Sequence, residues 1–465
     1  MIARLIVILF LLLPAATYAA DSLLYLSKDD VVSIVRKYHP VVRQAELSVK
    51  RSEAYVTEAR GGFDPKLNAG LDRKSFGGQL YYSYFNPEIK IPTWYGIELK
   101  GGLEEVIGSR AISERTPGQT SYAGVNVPLT RGLVFDERRA ALRQAQAVLS
   151  MTEAERLNVI NNTLLDVVSA YWEWVRHYYT YRIYTNAVSL NESRLMMVQR
   201  EYEQGNRPAI DTVEAMTQLQ SYQLLQNDAY LAFQNAGLQL ANYLWMENNM
   251  PVDWYGNIVP DTLATDMFED MSIPVMEELI AGAAVNHPKL RMVDYKIEAL
   301  KIERKLKAVS IMPQLDISAN VLNKGYGLPA DITTPFLENN HKIGVDFSMP
   351  LLFRKERGAY RASAFKVQEA VIERDYTTLQ IENKIKSYYN EVVMLNRQIK
   401  IYEAAQDNYS RLLRGEITRY EIGESNLFII NSRENKLLDA RQKLLELKTK
   451  WQKSYAGLLW AAGIM

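Results

Sequence analysis

From Pro128 to Gly205, and again from Pro350 to Gly423, the chain runs without an internal proline while apolar residues recur in alternating steps of three and four. Leu157, Ile160, Leu164, Val167, Tyr171, Trp174, Tyr178 and Tyr181 mark the first seam, and Ile381, Ile385, Tyr388, Val392, Leu395, Ile399 and Tyr402 the second. A heptad seam specifies a helix that packs against other helices. At about 1.5 Å of rise per residue, each stretch can form a rod of roughly 110 Å. No ordinary globular core surrounds a rod of that length, so partner helices must cover its seam.

The segments flanking the rods are written twice in the same order, the mark of a duplicated unit. Tyr38-His39-Pro40-Val41-Val42-Arg43 corresponds to Asn286-His287-Pro288-Lys289-Leu290-Arg291. An amphipathic helix follows in each half, and then a proline opens an alternating segment, at Pro65 and at Pro313. Both halves reach a Pro-Leu pair, Pro128-Leu129 and Pro350-Leu351, and both close on Tyr-x-x-Gly, Tyr202 to Gly205 and Tyr420 to Gly423. The landmarks lie 248 residues apart at His-Pro, 222 at Pro-Leu and 218 at the tyrosines, which places about 26 extra residues between Pro65 and Pro128. The limb after Gly205 is shorter than the rod, and the helix before Pro65 has the length to complete its layer. Residues 249–274 carry Pro251, Pro260 and Pro274 among five carboxylates without periodicity and read as a connector. The expected organisation is a signal peptide at 1–19, a first repeat at 20–248, the connector or equatorial region at 249–274 and a second repeat at 275–465, each repeat holding a helix, strands and a long helical hairpin.

Arg4, the apolar run Leu5 to Leu13, Pro14 and the small residues to Ala20 have the order of an export signal cleaved after Ala19. Beyond residue 20 no apolar run is long enough for a membrane helix. Any membrane passage must then be a closed β-barrel, because only helices and closed barrels satisfy the backbone in lipid. The 54 basic residues balance 54 acidic ones, so the broad positive field that nucleic acid needs is lacking.

Lys66 to Asp72, Tyr95 to Glu104, Ser121 to Val127, Gln314 to Leu322 and Lys342 to Ser348 alternate wholly or in part between apolar and polar residues, as barrel strands do. Tyr81, Tyr82, Tyr84, Phe85, Trp94, Tyr95 and Tyr122 crowd the same region, and such rings favour a membrane interface. A soluble β domain on a helical stalk is the competing reading. Counted as two strands per half, the chain supplies four, too few to close, so it must oligomerise; three copies would give twelve. Gln79 to Lys90, within the extra length, is either one more strand or part of an elongated loop.

In their duplicated order, the Pro65 and Pro313 strand openings, the Val-Pro-Leu-Thr-Arg-Gly and Met-Pro-Leu-Leu-Phe strand ends before Ala- and Arg-rich helices, and the paired Tyr-x-x-Gly turns make the chain resemble the TolC-like outer membrane efflux proteins over nearly its whole mature length. The resemblance implies an α+β membrane protein: a homotrimer with a shared twelve-stranded outer-membrane barrel continued by a long periplasmic coiled-coil α-barrel. It implies an exit duct of a tripartite efflux or type I secretion system, with a periplasmic adaptor, an inner-membrane pump and outer-membrane lipid as partners and no cofactor. Tyr202, Gly205, Tyr420 and Gly423 would then form the adaptor-facing helix turns. Asp211, six residues past its glycine, matches an aspartate that helps hold the periplasmic iris shut in this family, and Arg207 is placed to pair with it. Their second-half counterparts are Ile429 and Ser425, so the gate charges concentrate in the first repeat. The alternative function is a non-conducting coiled-coil stalk with a β cap, which does not require the duplicated helix, strand, strand, helix order.

No phosphate loop, His-Glu-x-x-His, Gly-x-Ser-x-Gly or cysteine nucleophile occurs, and His39, His177, His287 and His341 are not in metal-ligand spacing. The residues therefore point away from catalysis.

Overall fold

The computed structural model describes residues 24–108, 116–254, 258–261, 272–327, 337 and 339–465. The expected signal at 1–19 and part of the connector at 249–274 lie outside them.

The first half comprises β1 (Leu24–Leu26), α1 (Lys28–Tyr38), α2 (Pro40–Arg60), β2 (Lys66–Phe76), β3 (Gln79–Pro92), β4 (Glu98–Ile107), β5 (Gly118–Pro128), the single turn α3 (Arg131–Val134), α4 (Glu137–Glu203) and α5 (Ala209–Ala241). Three short strands follow, β6 (Trp245–Met246), β7 (Met250–Pro251) and β8 (Ile258–Pro260). The second half comprises α6 (Met276–Asn286), α7 (Pro288–Val309), β9 (Gln314–Lys324), β10 (His341–Ser348), α8 (Arg354–Glu421) and α9 (Leu427–Ala461). The two proline-free stretches are thus single helices of 67 and 68 residues, with return limbs of 33 and 35. No helix among the described residues is long and apolar enough to cross a membrane.

Both His-Pro pairs are helix junctions built alike. Each histidine ends one helix by donating its N–H to a carbonyl four residues back, Val35 or Ala283, and its own carbonyl accepts from Arg43 or Arg291 in the next helix. Its Nδ1 accepts the amide of the residue after the proline, Val41 at 3.3 Å and Lys289 at 3.1 Å. Proline at the first helical position has no N–H to leave unsatisfied. The paired histidines are therefore caps.

The chain divides into two compact units, each drawing segments from both halves. One holds residues 44–159 and 280–383 and carries a six-stranded antiparallel sheet in the order β10-β9-β5-β4-β3-β2. The expectation of two strands per half holds for the second half and fails for the first, which supplies four. The cause is the extra length: Gly77 and Gly78, with φ of +61° and +79°, turn the chain tightly after β2 and send Gln79–Pro92 back as a full strand. The strand expected from Tyr95 starts at Glu98 instead, because Thr93 to Ile97 closes a turn in which the Thr93 N–H donates to the Ile97 carbonyl at 2.8 Å. Helices of the same unit pack through Phe135, Ala140 and Val309, and through Val293, Ile297 and Ala370. Buried Ser52 donates to Thr152 at 3.0 Å, while exposed ion pairs Lys296–Glu373 and Arg374–Asp294 join α7 to α8. Leu157, the first residue of the α4 seam, is 42% exposed in the single chain.

The other unit, residues 1–43, 160–279 and 384–465, is mostly helical. The rest of the α4 seam is its core: Leu164, Val167, Tyr171, Trp174 and Tyr178 are buried with Val31 and Val35 of α1 and Phe233 and Leu240 of α5. Aromatic contacts run through this cluster, Trp174 meeting Trp254 edge-on at 5.4 Å. On α8, Val392 and Leu395 of the second seam pack on Leu447 and Trp451 of α9. Within the connector, β8 pairs in parallel with β1, so its described part is tied to the start of the chain.

Candidate functional site

The helix turns at Gly205 and Gly423 both lie in the helical unit, and their backbones close identically. At the end of α4, Gly205 donates to the Tyr202 carbonyl at 2.9 Å and Asn206 to the Glu201 carbonyl at 2.9 Å. At the end of α8, Gly423 donates to Tyr420 at 3.0 Å and Glu424 to Arg419 at 2.8 Å. These are paired Schellman closures, which need a left-handed residue just past the helix. Gly205 and Gly423 supply it with φ of +77° and +83°. Tyr-x-x-Gly is thus a backbone signature, the tyrosine carbonyl being one of its acceptors. The return helices start differently: Pro208 precedes α5, whereas Asn426 caps α9 by accepting from the Ile429 N–H at 3.1 Å.

The side chains separate the turns further. Tyr202 is 47% exposed and Tyr420 only 4%. The Arg207 guanidinium lies over the Tyr420 ring, 4.1 Å from its centroid, so a first-half turn residue covers a second-half aromatic. Cation–π contacts of this kind strengthen as they lose water. Arg207 is also held by Glu201 at 3.0 Å and stands 3.9 Å from Asp211. The pair expected from the sequence is therefore brought together, but Glu201 is the nearer carboxylate. Burial pushes the Tyr420 phenol above its ordinary pKa, with Arg207 opposing. At the second turn the polar centre is Glu416, which accepts from Ser425 Oγ at 2.6 Å and has Arg419 and Arg433 within 3.8 and 3.9 Å. Ile429 and Ser425 do not recreate the Asp211–Arg207 pair.

Above the turns lies a buried network that the sequence did not disclose. Arg194 of α4 pairs with Glu434 of α9 at 2.6 Å, both side chains under one-tenth exposed. Asn191 joins through Arg194 at 2.9 Å, and Asn431 donates to Glu214 of α5 at 3.2 Å. Tyr222 of α5 donates to Asn435 of α9 at 2.9 Å. Around these lie Val198, Leu219, Leu427 and Ile430. Between the network and the turns is a groove of about 380 Å³ lined by Arg194, Glu201, Arg207, Tyr420 and Ile430, among others. The only sequence signal for Arg194 and Glu434 was their place on otherwise apolar helix faces.

Three solved outer-membrane proteins, two of them described as channels, share the fold across nearly the whole chain. The outer membrane protein VceC of Vibrio cholerae is 16% identical, with a TM-score of 0.65 over 94% of this chain and 96% of its own. The CmeC outer membrane channel of Campylobacter jejuni is 14% identical, with a TM-score of 0.65 over 94% and 85%. The open-state MtrE outer membrane channel of Neisseria gonorrhoeae is 13% identical, with a TM-score of 0.66 over 94% and 88%. No match is found among curated protein sequences. The family model described as outer membrane efflux protein matches residues 104–244 and 279–463, one stretch in each half. The chain belongs to the outer membrane efflux protein family, and it is an outer-membrane channel of efflux type that extends into the periplasm.

Proposed function

We propose that the chain works as a homotrimer and as a passive conduit, loaded and energised by an inner-membrane pump through a periplasmic adaptor. In this reading the antiparallel sheet supplies the membrane wall and the long helices the periplasmic duct. The two glycine turns are the adaptor-facing ends, and Arg207 is the central gate residue. It touches Tyr420 and Glu201 and approaches Asp211, so its one side chain ties the first turn to the helix that ends in the second. That tie is the observation that carries the proposal. Opening then requires the two hairpins to separate at Arg207, which gives up the cation–π contact with Tyr420 to water while Glu201 and Asp211, on the hairpin of Arg207 itself, keep hold of the guanidinium. Cargo is selected by the pump.

Leak current through reconstituted channels tests the gate. Arg207→Ala and Asp211→Ala are expected to raise it, Arg207→Ala more, since it loses all three partners. Unchanged leak and unchanged antibiotic sensitivity in both variants would remove this cluster from the gate.

A further inference from the structure

The duplicated order shows which strands of the sheet are additional. β2 and β9 both follow the landmark prolines Pro65 and Pro313, while β5 and β10 both run into the Pro-Leu pairs. In the second half β9 pairs directly with β10; in the first, β3 and β4 stand between β2 and β5. The β3–β4 hairpin is therefore an insertion into one repeat. With 14 and 10 residues, its strands are both long enough for the roughly 9–11 that a tilted transmembrane strand needs, β3 exceeding that span.

The register decides whether the insertion belongs to the wall. Ladder partners share a sheet face. Starting from Leu67 and Leu71 of β2, one face continues through Phe85, Ile89 and Ile91 of β3, Leu99 of β4, Val125 of β5, Ile317 and Val321 of β9, and ends at Ile343, Val345 and Phe347 of β10. The opposite face carries Asn68 and Asp72, then Glu88 and Lys90, Lys100, Asn126, Asp316 and Asp346. Apolar outside and polar inside is the pattern of a membrane barrel. β3 and β4 follow it on the same faces as the four repeat strands, and the polar face is knit across them: Tyr122 donates to Glu88 at 3.0 Å, and Tyr84 donates to Glu104 at 3.1 Å. Both outer edges are bare in the single chain, every residue of β2 and nearly every residue of β10 being exposed. An open edge cannot persist in lipid. Because six is even, β2 and β10 run in opposite directions, and β2 of one copy can join β10 of the next without breaking the antiparallel order.

We propose that the β3–β4 hairpin is part of the membrane wall, so that three copies close a barrel of eighteen strands in place of the twelve that four strands per chain would give. This rests on the trimeric conduit reading. Barrel diameter grows roughly linearly with strand number, so the mouth is about one and a half times as wide. The insertion thus fits the duct for bulkier cargo at its outer end.

The chain has no cysteine, so single labels can be placed cleanly. Ile89→Cys, Ile343→Cys and Glu88→Cys, each carrying an environment-sensitive fluorophore, are to be reconstituted as full-length protein in vesicles of brominated phosphatidylcholine. Quenching at Ile89 as strong as at Ile343, with little at Glu88, is the expected result. Quenching at Ile343 but not Ile89 would put the hairpin outside the wall and overturn the proposal while leaving the conduit reading intact. Absence of quenching at both would overturn the two together. Strand counting by electron cryomicroscopy in nanodiscs supplies the second measurement: eighteen wall strands are expected, and twelve would refute the count even if Ile89 is quenched. A protein that shows eighteen strands and never conducts would fail the conduit reading alone.

Discussion

The turns at Gly205 and Gly423 share a backbone and differ in nearly everything attached to it. Both close with the same two hydrogen bonds around a left-handed glycine. Yet Tyr202 is left exposed while Tyr420 is covered by Arg207, and the charge centre is Arg207 with Glu201 and Asp211 at one turn but Glu416 with Ser425 at the other. Duplication preserved the geometry that ends a helix, which the glycine and two carbonyls determine. The side chains, which cost the backbone nothing to change, diverged until one turn came to lie over the other's aromatic. The comparison therefore separates what the turns need in order to fold from what the proposed gate would need in order to open.

The sharpest way to break the comparison lies in the network above the turns, which serves both hairpins. Arg194→Leu strands Glu434 as a buried charge and should destabilise the helical unit by about 3–5 kcal/mol. Arg194→Leu combined with Glu434→Leu should recover most of that loss, as read by guanidinium midpoints of the helical signal. A single variant that unfolds no more easily than the native chain would show that the pair is not buried in the assembled protein.

Gly205→Val and Gly423→Val should each cost about 1–3 kcal/mol, because a β-branched residue is forced into the left-handed region. Nothing crowds either glycine, so strain is the whole effect and the two costs should be alike. Adaptor-dependent efflux should weaken in both while membrane insertion is retained. Unequal costs would mean that the turns are not equivalent even in their backbones, and loss of insertion would assign them to folding.

Tyr420→Leu keeps the apolar packing and removes the cation–π contact, worth about 0.5–2 kcal/mol. Leak conductance should rise with it, whereas Tyr202→Leu should leave conductance unchanged. Equal responses would erase the functional difference between the turns.

The smallest effect is a pH dependence away from the turns. Burial holds the His39 pKa below its ordinary value, and burial together with neighbouring Arg176 does the same for His177. Both are needed neutral in the fold, since the His39 Nδ1 accepts the Val41 N–H and the His177 ring contacts the Arg176 guanidinium at 3.0 Å. Their contribution is complete above the unfolded pKa of about 6.5 and is lost as the pH falls toward the depressed folded values. His39→Asn with His177→Asn should flatten stability between neutral pH and about pH 5. An unchanged slope would place the dependence on other groups.

Much of this was legible in the sequence because it depended on backbone rules or on period. The alternating steps from Ile160 to Tyr178 are the buried seam, Tyr-x-x-Gly is the Schellman closure, and His-Pro is the capped junction. β3 was obscured by Pro87 and Pro92, residues that ordinarily argue against a central strand. Gly77-Gly78 was its available signal, since the tight turn it makes is where the extra length folds back as a strand. Arg194 and Glu434 left only a faint mark for another reason: a charge on a long helix ordinarily reads as solvated, and it is the approach of three helices that buries this pair. Tyr420's cover was equally beyond reach, since Arg207 lies more than two hundred residues away in sequence.

Single-channel recording of the purified full-length protein in planar bilayers tests the central claim most directly. A mostly closed channel is predicted, with Arg207→Ala raising its open time and Ser425→Ala leaving it unchanged. A folded trimer that never conducts, even with Arg207, Asp211 and Glu201 all neutralised, would contradict the account.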